Sequence, residues 1–241
     1  MSDTPLFDRV LAGAASGARL LDVGCGAGDL LAAAAAAGLT VSGVEVARQP
    51  LALAERAVPG ADLRIGDAHE LPFAADAFDL VALVQVLEHL ANPVLALREA
   101  GRVTARGGAV RASVWGTPDE CDASVIGESL APLTDAAPAP SRGPGGAAGA
   151  PPLTDPGRLA KLAGLAGLTV REVAEIKVPV EHPDEDDLVA GVLASAPGRH
   201  AARSAGPGAV REAVLKGLEP YRHGGGFRLV DTVRVLDAFP A

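Results

Sequence analysis

The sequence predicts a doubly wound α/β protein, a mostly parallel sheet with helices on both faces. Three observations carry that expectation. Up to about Gly116, short apolar runs alternate with Ala- and Leu-rich stretches of helical period, the order expected of strand, helix, strand units. The run Leu80 to Val84 is apolar throughout, which marks a strand buried on both faces. Glycines gather where the first strand passes into the first helix, the place where such folds bring their backbone close to a ligand.

In chain order, RLLDVGC (19–25) is the first strand, and GDLLAAAAAAG follows with strong helix formers and a glycine stop at Gly38. LTVSGVEV is a second strand ending near Glu45, LALAERA a helix, ADLRIGD a third strand and FDLVALVQ a fourth. Asn92 and Pro93 open the helix NPVLALREAGRV, and GGAVRASVW is the fifth strand. Between Asp135 and Pro152, prolines, glycines and alanines replace large apolar side chains. Such a stretch buries too little surface to offset its ordering entropy and reads as a flexible loop. Beyond it, DPGRLAKLAGLAG, PDEDDLVAGVLASA and PGAVREAVLKGLEPY read as helices, and TVREVAEIKVPV and FRLVDTVRVLDAF as strands. The acids Glu181, Asp184, Glu185, Asp186 and Asp187 stand at a helix start, where the helix dipole favours negative charge, so no metal is assigned to them.

Composition narrows the function. A net charge of −9, from 30 acidic against 21 basic residues, removes the attraction to phosphate backbones that nucleic-acid binders need. Nucleic acids and anionic membranes are therefore not expected partners. Cys25 and Cys121 are too few to staple a chain of this size, and MSDTPLFDRV lacks the basic-then-apolar order of a signal peptide, so a cytoplasmic location is expected. The longest uncharged stretch, Leu30 to Val44, is too short for a membrane span and is broken by Gly38, Thr40, Ser42 and Gly43.

The segment LLDVGCGAGD places Gly24, Gly26 and Gly28 at the strand-to-helix turn, where the absence of side chains lets a ligand lie against the main chain. Dinucleotide-binding folds share this feature, and Glu45 sits where their ribose-binding acid stands. Asp29 occupies their third glycine position, however, and Asp22 would face a pyrophosphate with like charge. A ligand carrying a cationic group suits Asp22 better.

With LLDVGCGAGD, GVEVA, GDAHELPFAADAFDLV, QVLEHLANPVLALREAGRV and RGGAVRASVWG in order over residues 19–116, the chain resembles class I S-adenosylmethionine-dependent methyltransferases of the small-molecule type. Its later half resembles an actinobacterial branch in WGTPDEC, AGLTV, VPVEHPDEDD and the Tyr221 to Phe227 segment. The resemblance implies a Rossmann-like, seven-stranded, mostly parallel sheet with inserted helices over the substrate cavity. It divides one domain into a donor-binding core (1–134), the loop 135–152 and a C-terminal part (153–241) that completes the sheet and covers the substrate.

It further implies S-adenosylmethionine as cofactor. Glu45 would take the ribose hydroxyls and Asp67 the adenine amino group. Ala68 would offer its backbone NH to the ring, with Val46 and Leu71 as apolar walls, and Asp22 would orient the methionine amino group. Gly24, Cys25, Gly26 and Gly28 form the loop, Cys25 as a small packing residue, and Gln85 lies at the crevice beyond the fourth strand. His69 is expected to be solvated or near the adenine. His182, His200 and His223 receive no placement.

Methyl transfer from a sulfonium asks chiefly for alignment and exclusion of water. A base is needed when the acceptor is a hydroxyl or a protonated amine, and His89 is the candidate. Only Met1 to Ala18 precede the first strand, so the loop 135–152 or a partner chain is expected to cover the donor. An aromatic content of 3% leaves few platforms for a large flat substrate. The expected activity is methyl transfer to O, N or C of a small molecule, by a monomer or homodimer. The alternatives are pericyclic or isomerising chemistry on the same fold, a non-catalytic binding protein, and an NAD-dependent enzyme.

Overall fold

Nearly continuous burial along the central strands sets the architecture. In β1 (Arg19–Val23) and β4 (Phe78–Val84), Leu20 and Leu80 turn to one face, while Leu21, Val23, Val81 and Leu83 turn to the other. Each face therefore needs its own cover. Leu20 and Leu80 pack with Leu31 and Ala34 of α2 (Asp29–Ala36) and with Leu51 and Ala54 of α3 (Arg48–Ala57). The opposite face packs on Ala96, Leu97, Ala100 and Val103 of α4 (Pro93–Val103) and on Leu159 and Ala163 of α6 (Pro156–Leu165).

The computed structural model describes residues 4–134 and 153–241, so the expected flexible loop 135–152 lies outside the described residues. The remaining strands are β2 (Thr40–Glu45), β3 (Asp62–Ile65), β5 (Thr104–Trp115), β6 (Leu168–His182), β7 (Arg222–His223) and β8 (Gly226–Pro240). They form one sheet in the order β3-β2-β1-β4-β5-β8-β6, with β7 paired to β8 outside that path. The five strands from β3 to β5 run parallel, and β8 lies antiparallel to β5. This is a Rossmann-like sheet, parallel through five strands and antiparallel where β8 joins β5. The eighth strand, beyond the seven expected, is the two-residue β7. Strand order reverses between β1 and β4, which places a crevice at their carboxyl ends.

The described residues divide into two compact units, one of residues 4–115, 153–176 and 233–241, the other of residues 116–134 and 177–232. In the second, Leu130 of α5 (Ser124–Leu130), Leu188 and Val192 of α7 (Glu185–Ala194), Ala201 of α8 (Ala196–Ala205), and Val210 and Val214 of α9 (Pro207–Gly217) close around Phe227 and Leu229. The acidic start of α7 works as a cap and an ion-pair platform. Asp184 accepts from Asp187 N at 2.8 Å, Glu185 and Asp186 pair with Arg211, and Asp187 meets His182 Nδ1 at 2.8 Å. Among the described residues no helix is long and apolar enough to cross a membrane.

Three helices escape the sequence reading: α1 (Thr4–Leu11), α5 and α8. The first is held by a buried charge. Arg111 of β5, 8% exposed, donates to the Val10 and Ala12 carbonyls at 2.6 and 2.7 Å, satisfying acceptors that the end of α1 leaves without intrahelical partners. Its register partner on β8 is Asp237, which is also buried. That cross-strand pair keeps the guanidinium compensated.

Gly28, just before α2, has φ +91°, and a Cβ there would stand 3.0 Å from both Cα and Cβ of Ala54. Its hydrogen-only side chain lets α2 start against α3. Gly28→Ala is expected to lose about 2 kcal/mol or more of stability through backbone strain and the clash with Ala54. Urea unfolding at fixed pH checks this, and a midpoint equal to the parent's would show that α3 yields freely.

Candidate functional site

At the carboxyl ends of β1, β2 and β4 and beyond β3, a cleft of about 410 Å³ opens between the glycine loop and the segment that follows β4. Gly24, Glu45, Val46, Asp67, Ala68, Gln85 and His89 line it, with Val44, Gly66, His69, Val84, Val86, Leu90 and Ala91. It thus gathers seven residues expected from the sequence.

The glycine loop is fixed from β2. Gly24 N and Cys25 N both donate to the Val44 carbonyl, at 2.7 and 3.0 Å. Glu45 then receives Gly26 N on Oε2 at 3.1 Å and Ala47 N on Oε1 at 3.0 Å. Each carboxylate oxygen accepts one of these bonds and retains acceptor capacity. Gly24 permits a close approach, because a Cβ at its φ of +75° would lie 2.6 Å from Val86 Cγ2. Nothing lies within 4 Å of where a Gly26 Cβ would be, so that position borders open space.

Asp22, Cys25, Gly26 and Gly28 support the cleft without lining it. Asp22 is 3% exposed, and burial first, then the charges of Glu45 and Asp29, push its carboxyl up to about 7. The Cys25 thiol is pushed up to about 12, mainly by burial and then by Asp22 and Glu45. It is a packing group, in van der Waals reach of Gly43 and Leu31, and no nucleophile. Leu71, expected as a wall of the cleft, is instead buried in the core cluster with Val44 and Phe78.

Val46 is 74% exposed, an apolar side chain offered to solvent at the cleft. Beyond β3, Asp67 Oδ1 accepts from His69 N at 2.9 Å and meets His69 Nδ1 at 2.6 Å, and these bonds hold the Asp67 carboxyl below the usual range. On the other wall, Gln85 takes φ +55° and donates its backbone NH to Ser113 O and Oγ at 3.2 and 3.1 Å. Its side-chain amide oxygen and nitrogen are buried without a partner. The Glu88 carboxyl is raised by burial above all, and its Oε2 is also unpartnered. His89 stands exposed at the rim, closing a short 3-10 turn (Leu87–His89).

Gly66, Val86, Leu90 and Ala91 belong to the lining without having been expected there. The turn Leu87–His89 leads His89, Leu90 and Ala91 into the lining. The nearest sequence signal is the QVLEHLANP run before the Asn92–Pro93 helix start. Of the histidines left unplaced, His182 is buried against Asp187 in the other unit.

Residues 21–112 match the family model described as a methyltransferase domain. The chain is 35% identical over 107 residues to the ubiquinone biosynthesis O-methyltransferase of Pseudomonas syringae pv. tomato, covering 39% of this chain and 43% of that protein. It is 40% identical over 96 residues to the demethylmenaquinone methyltransferase of Renibacterium salmoninarum, covering 40% of each. The matches therefore span about two-fifths of these curated relatives. Among solved structures, the [4+2]-cyclase SpnF superposes with a TM-score of 0.60 at 22% identity, over 98% of this chain and 81% of that one. That likeness concerns the fold.

Because the folded protein holds the Asp22 proton more tightly than the unfolded chain does, the stability tied to neutral Asp22 is full below about pH 4 and is lost as pH rises through about 7. Asp22→Asn lacks this loss. The variant should gain on the parent between pH 4 and 7, by up to about 1.4 kcal/mol per pH unit, and hold a constant lead above that. Urea unfolding of both proteins across pH 4 to 8 checks it, and a difference independent of pH would refute the shifted carboxyl.

Proposed function

We propose that this chain is an S-adenosylmethionine-dependent methyltransferase acting on O, N or C of a small molecule. The observation that carries the reading is the Glu45 carboxylate, anchored on both oxygens by the glycine loop and the start of α3 yet keeping acceptor capacity, in one cleft with Asp67 and the exposed Val46. The residues present fit the donor. Two ribose hydroxyls find two carboxylate oxygens, a flat apolar ring finds Val46 and Ala68, and a cationic amino acid end finds the negative field of Asp22, Glu45 and Asp29.

When bound, the donor supplies a methyl group on a positively charged sulfur that is already activated for transfer. The protein's share is orientation and exclusion of water. Glu45 and the loop fix one end of the ligand, Asp67 the other, and the segment 85–91 forms the facing wall. His89, exposed at the rim, is assigned to take the acceptor's proton where the acceptor is a hydroxyl. Gln85 belongs to the same wall. The proposed setting is the cytoplasm, with a small-molecule substrate, no nucleic acid, and a monomeric or homodimeric protein. The related ubiquinone enzyme acts in biosynthesis by name, and a biosynthetic role is proposed here as well.

Calorimetry with S-adenosylhomocysteine should show binding, and Glu45→Ala should weaken it by about 1 to 3 kcal/mol. Absence of heat at millimolar ligand with folded protein overturns the proposal. Incubation with methyl-labelled donor and a small-molecule extract should yield labelled product and S-adenosylhomocysteine. Binding without turnover of the donor, alongside conversion of a substrate, would mark the isomerising or pericyclic alternative. For a hydroxyl acceptor, His89→Ala should retain ligand affinity and lose roughly 100-fold in turnover. Turnover within a few-fold of the parent from pH 6 to 9 would leave positioning as the sole contribution of this wall.

A further inference from the structure

We infer that His69 is a positioning residue that aims Asp67 at the amino group of the adenine and joins the two walls of the cleft through the start of α4. The inference rests on reading the cleft as the S-adenosylmethionine site. Its basis is the hydrogen-bond chain through the imidazole. His69 Nε2 lies 3.3 Å from Asn92 N. A main-chain NH can only donate, so Nε2 accepts and the ring proton resides on Nδ1. That nitrogen then donates to Asp67 Oδ1 at 2.6 Å, and the backbone NH of His69 adds a second bond to the same oxygen at 2.9 Å. Asp67 Oδ1 is thereby occupied twice. Among the described residues Oδ2 accepts no hydrogen bond, so the carboxylate is locked in rotation with one oxygen available to a ligand.

The far end of the chain is equally fixed. Asn92 caps α4, its Oδ1 accepting from Leu95 N at 3.1 Å, and Pro93 follows as the first helical residue. Asn92 directly follows Leu90 and Ala91, which line the cleft together with Asp67. A side chain with a donor and an acceptor at opposite edges of a rigid ring can bridge these walls. Asn supplies an amide where Nδ1 stands and Gln one where Nε2 stands, so the two substitutions separate the contacts.

The test compares S-adenosylhomocysteine with S-inosylhomocysteine, in which a 6-oxo group replaces the 6-amino group. A fixed Asp67 oxygen accepts from the amino group and repels the oxo group, so the parent should favour the adenosyl ligand by roughly 100-fold. His69→Ala should weaken the adenosyl ligand about tenfold and the inosyl ligand little, shrinking the ratio. His69→Asn should keep most of the ratio and His69→Gln should lose it. If His69→Ala does not fold, the Asn and Gln pair decides alone. An unchanged ratio in His69→Ala, equal weakening toward both ligands, or loss of the ratio in the Asn variant as complete as in the Gln variant overturns the inference. A parent that binds neither ligand overturns the reading of the cleft itself.

Discussion

One carboxylate organises the ligand end of the sheet. Glu45 closes β2 and binds the NH groups of Gly26 and Ala47, so the loop after β1 and the first turn of α3 share a single acceptor. Bonds to a charged acceptor are roughly twice as strong as neutral ones. The positive φ values at Gly24, Gly26 and Gly28 give the loop its curvature, and the carboxylate gives that curvature a fixed position relative to β2. Without it, the strands could still pair, but the glycine loop and the start of α3 would lose their shared acceptor.

The same anchoring concentrates negative charge. Asp22 lies on β1, one strand over from Glu45, and Asp29 opens α2. Burial raises the Asp22 carboxyl so far that part of its population is neutral near pH 7. A sulfonium and an ammonium arriving together would restore its ionisation, because the ligand's charge offsets what desolvation opposes. An acidic pocket of this kind disfavours a pyrophosphate and favours a cation, which is the physical ground for separating this glycine loop from that of a dinucleotide enzyme.

The central sheet was legible because its signals are local. A strand such as FDLVALV, apolar on both faces, announces parallel neighbours and double cover, and Asn92–Pro93 announces a helix start. The residues around the glycine loop were legible for the same reason, since Glu45 and Asp67 each end or follow a strand. What escaped depends on distant partners. Arg111 inside a buried strand makes sense only once Asp237 of β8 and the carbonyls of α1 stand beside it. The family resemblance implies Leu71 as a ligand wall, yet Glu99 of α4 accepts from its backbone NH at 2.9 Å and its side chain goes to the core. The sequence APGRHAARSA of α8 has too few large apolar residues for a helical period to show, and its burial relies on Ala201.

Gln85 ties these threads together. It follows β4, the strand beside the reversal in strand order, and it is one of two non-glycine residues with positive φ among the described residues. A left-handed glutamine is unfavourable, and a buried amide without partners costs about 1 to 3 kcal/mol more. Ser113 offsets part of this by accepting the backbone NH twice, through its carbonyl and its hydroxyl. Neighbouring Val86 occupies the space that Gly24 leaves by lacking a Cβ. Two segments from adjacent strands thus depend on each other: the glycine lets the valine in, and the strained turn presents it. Unfavourable local geometry of this kind persists only where the surrounding contacts fix it. Here they lie in the segment after β4 that lines the cleft, where Gln85 and Glu88 carry three of the four buried side-chain atoms that lack a partner among the described residues.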